Sequence, residues 1–183
     1  ISSEKRVKST MSRYVDAHLI EKLMQEGSEI LGGQSIQATV LFSDIRGFTN
    51  LSEELGAQGI VNLLNEYFTL MVDIIVAHGG MLDKFIGDAI MAAYGVPIAH
   101  GDDADKAILS AIKMMLSLKA FNLTRKQDNL PAIDIGVGIN SDLVISGNIG
   151  SPKRMDFTVI GDGVNLASRL ESACKQYSAN III

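Results

Sequence analysis

Two apolar runs, residues 81–86 and 89–94, stand on either side of Gly87-Asp88. A two-residue link with glycine first closes a tight antiparallel hairpin, so this stretch commits the chain to a sheet with antiparallel strands. Upstream, residues 58–77 set Ile60, Leu63, Leu64, Tyr67, Phe68, Met71, Ile74 and Ile75 on one helical face, and Gly79-Gly80 ends the pattern. That is the periodicity and stop signal of an amphipathic helix. Residues 38–42 favour a strand before it. Past the hairpin, Gly95-Val96-Pro97 breaks the strand, and a helix is predicted from Asp102-Asp103 through Ala107, Ile108, Ala111, Ile112 and Met115. The two aspartates are placed to cap its free amides and oppose its dipole. Residues 133–139 and 143–149 read as a strand pair. Residues 157–160 read as a strand beyond a basic loop, Ser151-Pro152-Lys153-Arg154, and 164–177 as a helix. Strands separated by helices, with hairpins among them, predict an α+β fold of the ferredoxin-like, palm-like kind, a mainly antiparallel sheet covered by helices on one face.

With 183 residues, 47% of them hydrophobic, the chain fits one domain with an ample core. Residues 1–35 form a predicted helical lead-in, with Val7, Met11, Tyr14 or Val15, Leu19 and Leu23 near a helical period before Gly32-Gly33. Such a helix either joins an upstream sensor domain through a short coiled coil or packs on its own domain. Residues 36–183 form the main domain. It ends at Asn180-Ile181-Ile182-Ile183, which reads as the inside of a strand and predicts a piece of a longer polypeptide, incomplete at its C-terminus. A net charge of -5 supplies no general field to gather nucleic acid. The single cysteine, Cys174, lies in an apolar helical stretch and reads as a buried thiol. No uninterrupted apolar run approaches the roughly 18 residues that span a bilayer, and no signal-peptide pattern opens the chain. The expectation is a cytoplasmic domain without direct membrane contact.

Chemistry concentrates in three clusters. Asp44 ends a strand and leads through Ile45-Arg46-Gly47-Phe48-Thr49 to a helix start, where backbone N–H groups can face an anion. Asp88 stands at the hairpin tip. Carboxylate oxygens suit hard cations, and two acidic ligands from separate strands can carry a two-metal centre for displacement at phosphorus, although strand-end turns use the same residues. Lys84 interrupts an otherwise apolar strand, as a solvated edge or as a ligand-facing cation. Asn165 and Arg169, four apart, share a helix face opposite Leu166, Leu170 and Ala173. An amide and a guanidinium there suit a sugar and a phosphoryl group, and an idle exposed face would look alike. His18, His78 and His100 are scattered without ligand spacing and read as surface or packing residues. No nucleophile signature is present.

Together, residues 41–49, 83–88, 147–150 and 158–170 resemble the catalytic domain of class III adenylate cyclases, over residue 36 to the end. The resemblance implies that fold and the conversion of ATP to 3′,5′-cyclic AMP and pyrophosphate, with the ribose 3′-hydroxyl attacking the α-phosphate. It implies two Mg²⁺ or Mn²⁺ ions held by Asp44, Asp88 and the Ile45 carbonyl. It further implies adenine contacts from Lys84 and Thr158, ribose orientation by Asn165, transition-state stabilisation by Arg169, and a phosphate cradle from Ile45, Gly47, Phe48 and Thr49. A lysine and a hydroxyl suit N1 and the exocyclic amine of adenine, whereas guanylate cyclases usually carry an acidic residue at the position of Lys84. The family's site lies between two subunits, implying a homodimer with two sites. Three departures stand out. Gly136 occupies the place of a phosphate-binding arginine, Asn140-Ser141-Asp142 replaces the usual Asn-Thr-Gly turn, and a phosphate-binding lysine falls beyond Ile183. The alternatives are a guanylate cyclase, or a degenerate domain that only dimerises or senses nucleotide.

Overall fold

The computed structural model describes residues 33–151 and 154–183. Of the helical lead-in predicted over residues 1–35, residues 1–32, His18 among them, lie outside the described residues, as do Pro152 and Lys153 of the basic loop, while Gln34 and Ser35 belong to the first strand rather than to a helix. The elements are β1 (Gln34–Ile45), α1 (Phe48–Ala77), β2 (Met81–Ile86), β3 (Ala89–Tyr94), α2 (Asp103–Gln127), β4 (Ile135–Ser151), β5 (Arg154–Ile160), α3 (Asp162–Gln176) and β6 (Ile181–Ile182). The sheet order is β2-β3-β1-β4-β5, antiparallel throughout, with β6 added parallel to β4. The predicted α+β class and the hairpin across Gly87-Asp88 are both present.

Three local expectations change. Residues 133–139 and 143–149 are not a strand pair joined by a turn at Asn140-Ser141-Asp142. They run through one strand, β4, because β1 is long enough to pair with it without a slip from Gln34↔Ser146 to Ile45↔Ile135. Within that strand Asn140 Nδ2 donates to the Gly163 carbonyl at 3.0 Å and pins the start of α3. The aspartates before α2 do not cap it with side-chain hydrogen bonds. Asp102 pairs with Lys106 at 2.8 Å, and Asp103 accepts from the amides of His100 and Gly101 ahead of the helix. The helix predicted over 58–77 extends back to Phe48, with a break at Gly56, whose φ is 68°.

The helices also divide between both faces, which corrects the one-sided expectation. Strand residues alternate sides. Leu41, Ile45, Ile90, Ala92, Ile135 and Val137 meet Leu63, Tyr67, Met71 and Ile75 of α1 and Ala107, Ala111 and Met114 of α2. Ala38, Val40, Met91, Ala93, Val144 and Val159, of the opposite parity, meet Val164 and Ala167 of α3. Glycine decides how close α3 comes. A Cβ on Gly138 would lie 2.1 Å from the Glu171 amide nitrogen and 2.4 Å from the Ala167 carbonyl oxygen, so strand and helix backbones are in contact there. A Cβ on Gly136 would lie 2.8 Å from Glu171 Oε1 and 3.2 Å from Cys174 Cβ. An arginine at 136 would have to push the Glu171 carboxylate aside. Cys174 is buried as expected, its thiol directed at the Val137 carbonyl and pushed up in pKa chiefly by burial. By length and composition α1 and α2 could each cross a membrane, although polar and charged residues interrupt the apolar run of both. Here their apolar sides cover the sheet.

Candidate active site

The register of the sheet assembles the carboxylates. Ser43 of β1 pairs with Ile90 of β3, which brings the turn residue Asp88 beside the end of β1. The Ile45 amide donates to Asp44 Oδ1 at 3.0 Å and to Asp88 Oδ2 at 3.2 Å, so two carboxylates converge on one N–H. Burial, followed by the hydrogen bond and charge of Asp88 and then the charge of Glu171, pushes Asp44 up to about 7. Burial also raises Glu171, with Asp88 adding to it while Ser172 and Arg46 pull it down.

A cavity of about 330 Å³ opens beside this pair, lined by residues 44–47 at the strand end and by Glu171, Ser172 and Lys175 of α3. Its backbone edge is shaped by Gly47, which takes φ 67° between strand and helix, a left-handed conformation that costs other residues about 1–2 kcal/mol. No side chain caps the start of α1, which leaves the amides of its first turn available to an anion. Arg46 is engaged elsewhere. Its Nη1 meets Asp134 at 3.0 Å and its Nη2 donates to the Ala179 carbonyl.

A second group forms where β5 reaches β2. Thr158 Oγ1 and the Val159 amide both donate to Asp83 Oδ2, at 2.6 and 3.3 Å, and Lys84 Nζ lies 3.4 Å from Asp83 Oδ1. Thus Lys84 and Thr158, 74 positions apart, are brought together by a carboxylate between them. Asn165 and Arg169 stand exposed on α3 and join neither group. Each residue turns a helix by about 100°, so Arg169 lies roughly 200° and Asn165 roughly 240° around the axis from Glu171, which faces the carboxylate cavity. One chain turns these two side chains away from its own Asp44 and Asp88.

Sequence reasoning passed over Asp83 and Glu171. Each left a trace. Asp83 puts a second charge into an apolar strand beside Lys84, and Glu171 falls on the stripe of Val164, Ala167 and Cys174 that α3 buries. His78 bonds the Ile74 carbonyl at the end of α1, and His100, exposed at the surface, lies 3.5 Å from Asp103.

Among the described residues no three or more His, Cys, Asp or Glu side chains are grouped to hold a metal ion. Asp44 and Asp88 nevertheless fit one. They are paired hard-oxygen donors that share a single N–H and repel each other, a state that a divalent cation relieves.

Residues 33–182 match the family model for the adenylate and guanylate cyclase catalytic domain. An adenylate cyclase of Anabaena cylindrica is 38% identical over 98% of this chain, which spans 36% of that relative's length. Among solved structures, the adenylyl cyclase CyaB from P. aeruginosa is 44% identical with a TM-score of 0.76, covering 78% of this chain and 74% of that one. The guanylyl cyclase Cya2 is 42% identical with a TM-score of 0.74, over 78% and 72% of the two chains.

Proposed function

We propose that this chain, which belongs to the adenylate and guanylate cyclase catalytic-domain family, converts ATP to 3′,5′-cyclic AMP and pyrophosphate in a site completed by a second copy of itself. The observation that carries this reading is the division of the site residues. Asp44 and Asp88 converge on Ile45, while Asn165 and Arg169 face away from them on α3. Two chains arranged head to tail would offer the carboxylates of one to the Lys84, Thr158, Asn165 and Arg169 of the other, twice over.

In the reaction the ribose 3′-oxygen bonds to the α-phosphorus, the bond from that phosphorus to the bridging oxygen breaks, and pyrophosphate leaves while the hydroxyl proton passes to solvent. Asp44, Asp88 and the Ile45 carbonyl would hold Mg²⁺ or Mn²⁺, which would lower the pKa of the hydroxyl and offset phosphate charge. The uncapped amides of residues 47–49 would bind the outer phosphates. Asn165 would orient the ribose by hydrogen bonds, and Arg169 would stabilise charge that grows on the phosphoryl oxygens. Lys84 and Thr158 would select the base. Guanylate cyclisation is the second reading, favoured by the close similarity to a guanylyl cyclase structure. The presence together of Asp44, Asp88, Lys84, Thr158, Asn165 and Arg169 weighs against a domain that only dimerises or senses nucleotide.

Turnover of ATP and GTP by the purified chain with Mg²⁺ or Mn²⁺, followed against protein concentration, tests the reading. Cyclic AMP should dominate and specific activity should rise with concentration. Cyclic GMP as the main product, or activity independent of pairing, would refute the corresponding half.

A further inference from the structure

Asp83 precedes Lys84 in β2, and its side chain is wholly buried, at 0% exposure. The pairing of β2 with β3 slips between Leu82 and Lys84, at this residue. Its carboxylate crosses to β5, although β2 and β5 stand at opposite ends of the sheet path. The Thr158 hydroxyl donates to Asp83 Oδ2 at 2.6 Å, and the Val159 amide approaches the same oxygen at 3.3 Å. Oδ1 accepts no hydrogen bond among the described residues and has Lys84 Nζ 3.4 Å away.

A hydroxyl has one hydrogen to give, and an ionised carboxylate has none. With its hydrogen given to Asp83, Thr158 keeps only lone pairs for any ligand. We propose that Asp83 is a positioning residue which makes Thr158 a pure acceptor and thereby sets the base preference of the site. The inference rests on the reading that Lys84 and Thr158 meet the base edge. Adenine offers a donor at its exocyclic amine and an acceptor at N1, which match an acceptor and an ammonium. Guanine presents the reverse order, a carbonyl oxygen and an N–H. A threonine free to rotate would donate to that carbonyl, and Asp83 removes this option.

The test compares kcat/KM for ATP and for GTP in the wild-type chain and in Asp83→Ala, Asp83→Asn and Thr158→Val. Releasing the hydroxyl with Asp83→Ala should lower the ATP to GTP ratio by about tenfold or more, since a mispaired polar group in a closed site costs at least that factor. Asp83→Asn still offers an oxygen to Thr158 and Val159 and should keep most of the ratio. In the Thr158→Val background, adding Asp83→Ala should leave the ratio unmoved. Damage to folding alone lowers both substrates together and leaves their ratio intact. An unchanged ratio in Asp83→Ala, a collapse in Asp83→Asn as deep as in Asp83→Ala, or a further shift in the double variant would each overturn the inference. The wild-type ratio by itself judges the adenylate reading. The change produced by Asp83→Ala judges Asp83, whichever nucleotide the wild type prefers.

Discussion

Replacing Asp44 by asparagine should stabilise the metal-free protein. Asp44 is held at about 7 against an ordinary value of 3.8, a rise of roughly three pKa units, and each unit is worth about 1.36 kcal/mol. The ceiling is therefore about 4 kcal/mol. Asp44 is only half-buried and solvent screens it, so about 2 kcal/mol is the expected net cost of its charge. Asparagine keeps an oxygen for the Ile45 amide and can donate to Asp88, which removes that cost. For a domain of this size the gain corresponds to a rise in Tm of roughly 4–8 °C. The pH dependence fixes the cause. Below 3.8 Asp44 is protonated in both folded and unfolded chains, and the folded state carries no penalty. As pH rises from there to about 7, the unfolded chain ionises while the folded one resists, so stability falls; above about 7 the loss is complete. Thermal melts in a chelator at pH 5 and pH 8 should show a larger gain from Asp44→Asn at pH 8 than at pH 5. Mg²⁺ should raise the Tm of the wild type and leave the variant nearly unmoved. A lower Tm for Asp44→Asn, or an equal gain at both pH values, would refute the electrostatic reasoning.

Gly138→Ala must displace α3 from the sheet, because its Cβ would fall 2.1 Å from the Glu171 amide; urea unfolding should register a loss of about 2–4 kcal/mol, and an unchanged midpoint would contradict the close approach. Gly47→Ala should cost about 1–2 kcal/mol for its left-handed φ, and cyclase activity should drop further than stability explains as the amides of residues 47–49 shift; full activity would detach that backbone from the phosphates. Asp44→Ala and Arg169→Ala chains should each be inactive, and an equal mixture should recover about a quarter of wild-type activity, since half the dimers are mixed and each holds one intact site. Dimers that form without recovery would remove the shared site.

Local chemistry made much of the fold legible. The glycine-first link at 87–88 announced the hairpin, and the apolar spacing from Ile60 to Ile75 announced α1. What escaped depended on partners distant in sequence. Asn140-Ser141-Asp142 has the composition of a turn, yet twelve consecutive pairs with β1 keep it extended. Asp102 and Asp103 have the composition of caps, yet a lysine one turn on and the amides before the helix claim them. In the candidate site, Asp44, Asp88 and Lys84 stood out by type and place and Thr158 only through the family resemblance, whereas Asp83 and Glu171 matter through what they touch. Glu171 lines one cavity with Asp44, where its helix lies close against the glycines of β4.

Those glycines also bear on how α3 is used. At positions 136 and 138 the strand offers no side chain, so the helix backbone rests on β4 and Glu171 and Ser172 line the cavity beside Asp44. An arginine at 136 would have supplied positive charge there, at the cost of pushing the Glu171 carboxylate aside. Lys175, one turn beyond Glu171 on the same helix, lines that cavity and carries no ion pair among the described residues. The inner side of α3 therefore serves the carboxylates of its own chain. Its outer side, with Asn165 and Arg169 exposed and carrying no ion pair among the described residues, is the side that a second chain would complete. One fifteen-residue helix can face two sites because rotation about its axis separates their residues.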